Sequence, residues 1–393
     1  MPRLRLVAML LLAAVAASGC GREVNTDDAE PPALLGPPDR GRANLGFPEF
    51  ATKNTTRVPG SEPVQIAAAV VRAVYPDPAR KPDAVTLVDR SDWRVAVAAA
   101  ALMADPFNAP VLYTDGTDMP DATSAALSAL APEGSAAAGN AQVIRIGNVA
   151  RPPGLKSSDV TGAGALALTR SIAGLVRAAK RGRTVRVIVT SADDPSFAVP
   201  AAGYAAKTGD PVLFVTRDAV PPETRAALAA LAGLARPQIY ILGPSKLISP
   251  KVSRDLRRLG RVERLGGQDA VTNAIAMARY RRGSFGWGIV DPGHGLVFTA
   301  DGRPMNAAAA APLSASGKYG PLLLLDDSDR VPQALQQYLL DIQPGYQEDP
   351  VRGVYNHGWI VGTRSLVSLE KQARIDALLE IVPVRTPDAP PQP

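Results

Sequence analysis

Cysteine and histidine are nearly absent from this chain. Its 393 residues include one cysteine, Cys20, and two histidines. A disulfide needs two thiols, and protein zinc sites are built mainly from cysteine and histidine, so neither kind of cross-link is expected. The sequence therefore predicts a fold stabilised by apolar burial, without metal or cofactor, which 46% hydrophobic residues can supply.

Aromatic residues are also scarce, at 5% of the chain, and the formal net charge of +6 comes from basic residues dispersed along the sequence. Proteins that bind nucleic acid cluster their basic residues on one face and add aromatic side chains that stack on bases. We therefore expect no nucleic-acid partner. A mild positive charge is compatible with an acidic polymer or an anionic lipid surface.

The N-terminal residues 1–19 have two early arginines, a short apolar core and small residues before Cys20. The apolar core is shorter than the ~20 residues that span a membrane, which is typical of a cleaved export signal. The segment resembles a bacterial lipoprotein signal, and this resemblance implies a diacylglyceryl group on Cys20 and attachment to the outer face of the cytoplasmic membrane. An ordinary signal peptide with an incidental cysteine is the alternative. Residues 20–50 and 385–393, rich in proline and polar residues, predict a disordered tether and tail.

Three stretches of the chain follow one pattern of a proline, an apolar run and a polar stop. They are Pro-Val-Leu-Tyr-Thr-Asp (110–115), Pro-Val-Leu-Phe-Val-Thr (211–216) and Pro-Leu-Leu-Leu-Leu-Asp (321–326). A second apolar run ending in glycine follows each, and Gly60, Gly162 and Gly267 open the three segments. Both markers recur at intervals of about 100 to 110 residues, which indicates one structural unit used three times. We place the repeats at 51–158, 159–262 and 263–384.

Each repeat alternates alanine-rich helical stretches with short, nearly all-apolar strands. Such strands are typical of parallel sheets that are covered by helices on both faces. The predicted fold class is α/β, with three similar parallel-sheet units.

Residues 264–276, Arg-Leu-Gly-Gly-Gln-Asp-Ala-Val-Thr-Asn-Ala-Ile-Ala, resemble the opening motif of the type 2 cell-wall-binding repeat family. Residues 56–60, Thr-Arg-Val-Pro-Gly, are similar to a second copy. The resemblance implies three α/β units packed around a pseudo-threefold axis and non-covalent binding of an anionic cell-wall polymer. The family places an aspartate before its alanine-rich helix, whereas the corresponding positions here are Val95, Phe197 and Asn306, of which only Asn306 is polar.

Several residues are candidates for ligand binding. Arg57 and Arg264 occupy equivalent positions in the opening motifs, where they could contact an anion or bridge neighbouring units. Ser91-Asp92 and Asp193-Asp194 follow predicted strands, at the end of a parallel sheet where ligands gather, although polar turns are also common there. Asn306 completes the set.

The combined features predict a non-catalytic, lipid-anchored envelope protein. The alternatives are an extracytoplasmic enzyme acting on an envelope glycan, with Asp193, Asp194 or the acidic turn 326–329 as acid–base or metal groups, and a protein-binding scaffold. Residues 162–167, Gly-Ala-Gly-Ala-Leu-Ala, fit a dinucleotide-binding fingerprint. That fingerprint requires a strand directly before it, which residues 156–159 do not predict, so no nucleotide cofactor is expected.

Overall fold

The computed structural model describes residues 50–181, 186–232, 236–317 and 319–384. Its strands are β1 (Phe50–Ala51), β2 (Thr55–Val58), β3 (Val85–Asp89), β4 (Val111–Thr114), β5 (Val143–Ile146), β6 (Ser157–Val160), β7 (Arg186–Ser191), β8 (Val212–Val215), β9 (Gln238–Leu242), β10 (Arg261–Leu265), β11 (Gly295–Ala300), β12 (Leu322–Leu325), β13 (Gly345–Tyr346), β14 (His357–Val361) and β15 (Val382–Pro383). Its helices are α1 (Pro63–Val74), α2 (Trp93–Ala99), α3 (Asp121–Leu130), α4 (Ala165–Ala179), α5 (Pro195–Ala198), α6 (Pro200–Thr208), α7 (Pro222–Leu231), α8 (Pro250–Arg257), α9 (Ala270–Arg279), α10 (Pro304–Ala315), α11 (Gln333–Asp341) and α12 (Leu369–Leu379). Within these ranges no helix combines the length and the apolar character needed to cross a membrane.

Three larger sheets of mainly parallel strands form the fold, and β13 and β15 pair in a short two-stranded parallel sheet. Sheet I has the strand order β4-β3-β5-β6, sheet II β8-β7-β9-β10, and sheet III β12-β11-β14-β2, with β1 added antiparallel to β2. The three proline-started apolar runs form β4, β8 and β12, which are equivalent edge strands. The predicted α/β class with three similar parallel-sheet units is confirmed.

The other edge of every sheet is supplied by the opening strand of a different repeat. Strand β6 pairs with β5 in sheet I, and β10 pairs with β9 in sheet II. Sheet III is completed by β2, in which Arg57 pairs with Ile360 from the far end of the chain. The predicted repeat boundaries at 158/159 and 262/263 fall inside β6 and β10. Each repeat therefore contributes one strand to the sheet of another repeat, and the three contributions form a closed cycle.

This exchange also changes the context of residues 162–167. The expectation that no strand precedes them is wrong, because β6 ends at Val160 and α4 begins at Ala165. However, β6 belongs to sheet I, whereas α4 packs on β8 of sheet II. A dinucleotide fingerprint needs its strand and helix in one βαβ unit. The turn therefore links two neighbouring units.

Three alanine-rich helices meet in the centre. Helix α2, continued by a 3-10 turn at Ala100–Met103, packs with α6 and α10, one helix from each repeat. Small side chains permit this close approach: a Cβ atom on Gly203 of α6 would lie 2.7 Å from the Ser314 Oγ of α10. One apolar core runs through all three units, and a second fills the outer face of sheet II beneath α7 and α8.

Candidate functional site

Arg57 lies in β2 with no solvent-exposed surface. Its Nε donates to the Gln372 Oε1 at 3.0 Å, its Nη1 to the Gly362 carbonyl at 2.7 Å and its Nη2 to the Val367 carbonyl at 2.8 Å. Gly362 follows β14, and Val367 precedes α12. In this position the guanidinium ties the opening strand to the loop of sheet III, and no surface ligand reaches it.

Arg264 makes the corresponding contacts in sheet II. Its Nη1 donates to the Gly243 carbonyl and its Nη2 to the Ile248 carbonyl, both at 2.8 Å. Gly243 follows β9 as Gly362 follows β14. Burial, together with the nearby Arg257, lowers the pKa of Arg264 from its usual value. Both candidate arginines thus donate to carbonyls of the loop that follows the third strand of a sheet, β14 for Arg57 and β9 for Arg264.

Sheet I obtains the same contact from a different strand. In β6 the position that corresponds to Arg57 and Arg264 is Asp159. Its partner on the neighbouring strand, β5, is Arg145. Arg145 Nε donates to the Ala150 carbonyl at 3.0 Å and Nη2 to the Val149 carbonyl at 2.5 Å. Its Nη1 lies 2.8 Å from the Asp159 carboxylate. This pair has no signal in the opening motifs, because its arginine lies in β5, outside them.

Two of the acidic candidates cap helices. The Asp92 carboxylate accepts from the Arg94 amide at 2.9 Å at the start of α2. The Asp194 carboxylate accepts from the Ser196 amide at 3.1 Å at the start of α5. Such caps satisfy amides that the first helical turn leaves without partners. In repeats 1 and 2 a capping aspartate therefore lies three residues before Val95 and Phe197.

Ser91 and Asp193 are in the same turns and are more exposed. The Ser91 amide donates to the Asp89 Oδ1 at 2.8 Å, and the Asp193 Oδ2 accepts from the Arg217 amide at 3.3 Å. The first bond closes the turn after β3, and the second links the turn after β7 to the turn after β8. Both side chains lie on the surface or at its edge.

The turns of repeats 1 and 2 are brought together by α2. Arg94 Nε donates to the Ala192 carbonyl at 2.8 Å, and the Trp93 ring packs edge-on against Phe214 with centroids 5.5 Å apart. Asp92 thus lies beside the turn that carries Asp193. The contact is an interface between units.

Asn306 has a different environment. It lies in the first turn of α10 and is 4% exposed. There the Met305 carbonyl accepts from the Tyr113 hydroxyl at 2.8 Å. Burial raises the pKa of Tyr113, which keeps its phenol protonated as a donor. Asn306 is therefore buried, next to a residue whose carbonyl accepts a hydrogen bond from repeat 1.

The acidic turn after β12 is partnered by a lysine. Lys371 Nζ donates to the Asp326 carbonyl at 2.9 Å, and the Ser328 hydroxyl donates to the Asp326 carboxylate at 2.6 Å. Burial lowers the pKa of Lys371, against the opposing effect of Asp326, Asp329 and Asp327. In the part of the chain that the structure describes, no three acidic, histidine or cysteine side chains are grouped to hold a metal ion.

Concave surfaces lie at equivalent positions of two units, between the first helix and the helix after the proline-started strand. In repeat 1, two adjoining clefts of about 330 and 390 Å³ lie between α1 and α3. In repeat 2, a groove of about 390 Å³ lies between α4 and α7 and is lined by Arg170, Gly174 and Arg177 among others. Sequence reasoning missed these three residues, whose only signal is a pair of arginines seven positions apart.

Cys20, the predicted lipidation site, lies outside the described residues. So do the predicted signal, the tail and all of the predicted tether except Phe50, which begins β1.

Comparison with known proteins finds solved structures with a similar fold. No family model matches the chain, and no curated protein does. Among solved structures, Cwp6 from Clostridium difficile superimposes with a TM-score of 0.64 at 17% identity over 82% of this chain. Cwp8 from Clostridium difficile gives a TM-score of 0.63 at 18% identity over 84%. The chain spans about half the length of each, 48% and 52%. The protein therefore shares its α/β fold with Cwp6 and Cwp8, in agreement with the fold that the cell-wall-binding repeat resemblance implies.

Proposed function

We propose that this protein is a lipid-anchored component of the cell envelope that binds an anionic cell-wall polymer non-covalently through its three α/β repeats. The observation that carries the proposal is the three-unit fold, which resembles Cwp6 and Cwp8 over more than four-fifths of the chain. The opening motifs at residues 56–60 and 264–276 point to the same family independently of that superposition.

In this proposal the polymer contacts the outer surface of the units, because the motif arginines are engaged inside the fold. Arg57 and Arg264, the arginines of the opening motifs, donate to loop carbonyls inside the fold. Their charges support the folded repeats, and the grooves between the surface helices offer the concave area that a polymer strand needs. The net charge of +6 favours an acidic polymer over a neutral one.

Lipidation of Cys20 supplies the second point of attachment. The segment between Cys20 and Phe50 separates the anchor from the first strand of the fold. Membrane attachment at one end and polymer binding by the repeats would hold the membrane and the wall together without a covalent bond to the wall.

Wall binding is tested by sedimenting the full chain, kept in non-ionic detergent, with purified cell-wall fragments. Matched fragments are treated with hydrofluoric acid, which removes polymers held by phosphodiester bonds. We expect binding to untreated fragments that falls steeply between 0.05 and 1 M salt, because the screening length shortens to ~3 Å at 1 M. Binding that is insensitive to salt would argue for a protein partner or a neutral glycan.

Anchoring is tested by mass spectrometry of the mature N-terminus, which we expect to carry a diacylglyceryl adduct on Cys20. The Cys20→Ser chain should leave the membrane fraction. A mature N-terminus downstream of residue 20 would contradict the anchor without affecting the wall-binding proposal.

A further inference from the structure

The groove between α4 and α7 differs in charge from the equivalent surfaces of the other repeats. Its lining includes Arg170 and Arg177 and no acidic residue. Opposite the arginines, α7 presents Ala226 and Ala230, whose small side chains leave the groove open. Its volume, about 390 Å³, suits one or two sugar-sized units of a polymer.

The two arginines lie on one face of α4. Seven residues make nearly two helical turns, so their Cα atoms are roughly 10 Å apart along the axis. Neither guanidinium has a hydrogen bond or an ion pair with another described residue, and the Arg177 Nε is buried without a partner. The Arg170 side chain is exposed and the Arg177 side chain lines the groove, so both guanidinium groups can donate to an anion there.

Gly174 lies between these arginines, one helical turn from each. Its backbone is helical, and a Cβ atom there would meet nothing within 4 Å, so neither the conformation nor the packing requires glycine. Glycine in a helix interior is less stable than alanine. Because position 174 has no side chain, the floor of the groove, which is the surface of α4 between the two guanidinium groups, is unobstructed.

Repeats 1 and 3 carry their own counter-charges at this place. In repeat 3, Arg279 of α9 pairs with Asp341 of α11 and lies 4.9 Å above the Tyr338 ring. In repeat 1, one cleft includes Glu62 and Asp115, and Asp115 pairs with Arg90 at 2.6 Å. The other cleft holds a single arginine, Arg72, whose Nε donates to the Ala68 carbonyl at 3.1 Å. The arginines of repeat 2 face an anion-sized space without such a partner.

The geometry points to the α4–α7 groove as the binding site for one strand of a polyanionic glycan or polyol phosphate. We propose that Arg170 and Arg177 contact two successive negative charges, with the chain between them passing over Gly174. This inference rests on the proposed function and assigns its polymer contact to repeat 2.

The test measures binding of the full chain, in non-ionic detergent, to three labelled probes: poly(glycerol phosphate), polygalacturonate and neutral dextran. The test variant is Arg170→Gln with Arg177→Gln. The matched control is Arg254→Gln with Arg261→Gln, which removes the same charge from two exposed arginines outside the groove. We expect the groove variant to weaken binding of a polyanion at least tenfold and the control less than twofold.

A second pair of variants keeps every charge. Gly174→Leu should weaken polyanion binding by filling the floor, whereas Gly174→Ala, whose added Cβ meets nothing, should leave it unchanged. A preference for poly(glycerol phosphate) identifies a phosphodiester ligand, and a preference for polygalacturonate identifies a carboxylate ligand.

Equal weakening by the groove variant and its control, or undiminished binding by Gly174→Leu, would overturn the groove while the proposed function stands. Absence of polyanion and wall binding by the unchanged chain would remove both. Circular dichroism of each variant confirms that the fold is kept.

Discussion

Sheet III differs from sheets I and II in where its outer strand originates. In sheets I and II the outer strand follows its neighbour within the next twenty or so residues of the chain. In sheet III, β2 comes from the beginning of the described chain and β14 from near its end. At all three places a guanidinium nevertheless donates to carbonyls of the loop after the third strand, from Arg145, Arg264 and Arg57. The loop after the third strand is therefore held by a cationic donor in each sheet. That donor comes from the outer strand in sheets II and III and from the third strand itself in sheet I.

Deleting residues 50–58 should have the largest effect. The deletion exposes the edge of β14 and removes the Arg57 contacts, and an unpaired strand edge promotes aggregation. We expect loss of the cooperative urea transition of the full chain, followed by circular dichroism and light scattering. Deletion of residues 385–393 serves as the control. An unchanged urea midpoint after removal of 50–58 would show that β2 is dispensable.

Replacing the two motif arginines should give smaller, unequal effects. Arg57→Met removes three bonds from a fully buried guanidinium and leaves two carbonyls without it, whereas Arg264→Met removes two bonds from a half-buried one. Since hydrogen bonds to charged groups contribute ~1.5–3 kcal/mol, we expect losses of roughly 3 kcal/mol or more for Arg57 and about 1–2 kcal/mol for Arg264. Urea denaturation of the full chain measures both. Equal losses would remove the distinction between the two sheets.

The contact in sheet I should respond to acid. Partial burial would raise the pKa of Asp159, but hydrogen bonds from Arg151 and Arg145 outweigh it and hold the pKa below its usual value. A lowered pKa means that the carboxylate stabilises the fold above the unfolded-state value of about 3.9 and that this contribution is lost as the pH falls.

Because Asp159 is largely exposed, the contribution is below about 1 kcal/mol. Thermal midpoints of the full chain and of Asp159→Asn should differ slightly at neutral pH and converge below about pH 3. A difference that persists or grows in acid would assign the contact to something other than the carboxylate.

The sequence predicted the local elements well and their long-range pairing poorly. The apolar runs after Pro110, Pro211 and Pro321 form strands as expected, because each is buried on both faces and its composition reflects that burial. The sequence places the opening segments in the repeats that they begin, whereas β2, β6 and β10 join the sheets of other repeats. Which sheet a parallel edge strand joins depends on chain connections and packing, and nothing in the composition of residues 55–58 records it.

Whether the sequence indicates a candidate residue depends on how local its structural role is. Asp92 and Asp194 are candidates because they follow predicted strands, which is a local signal, but the same turn positions also hold helix caps. Arg170 and Arg177 went unnoticed because an arginine pair on an amphipathic helix resembles any solvated face. What distinguishes them is the absence of acidic residues from the part of α7 that lines the groove, and only the assembled structure sets α7 beside α4.

The pairing of β2 with β14 also bears on the number of repeats. Linear repeat arrays grow by duplication, and their first and last copies need polar caps because each lacks one neighbour. Here the first repeat completes the sheet of the third, so no copy is terminal. A fourth copy could be added only by separating β2 from β14 and widening the centre where α2, α6 and α10 meet. The architecture therefore fixes its copy number at three.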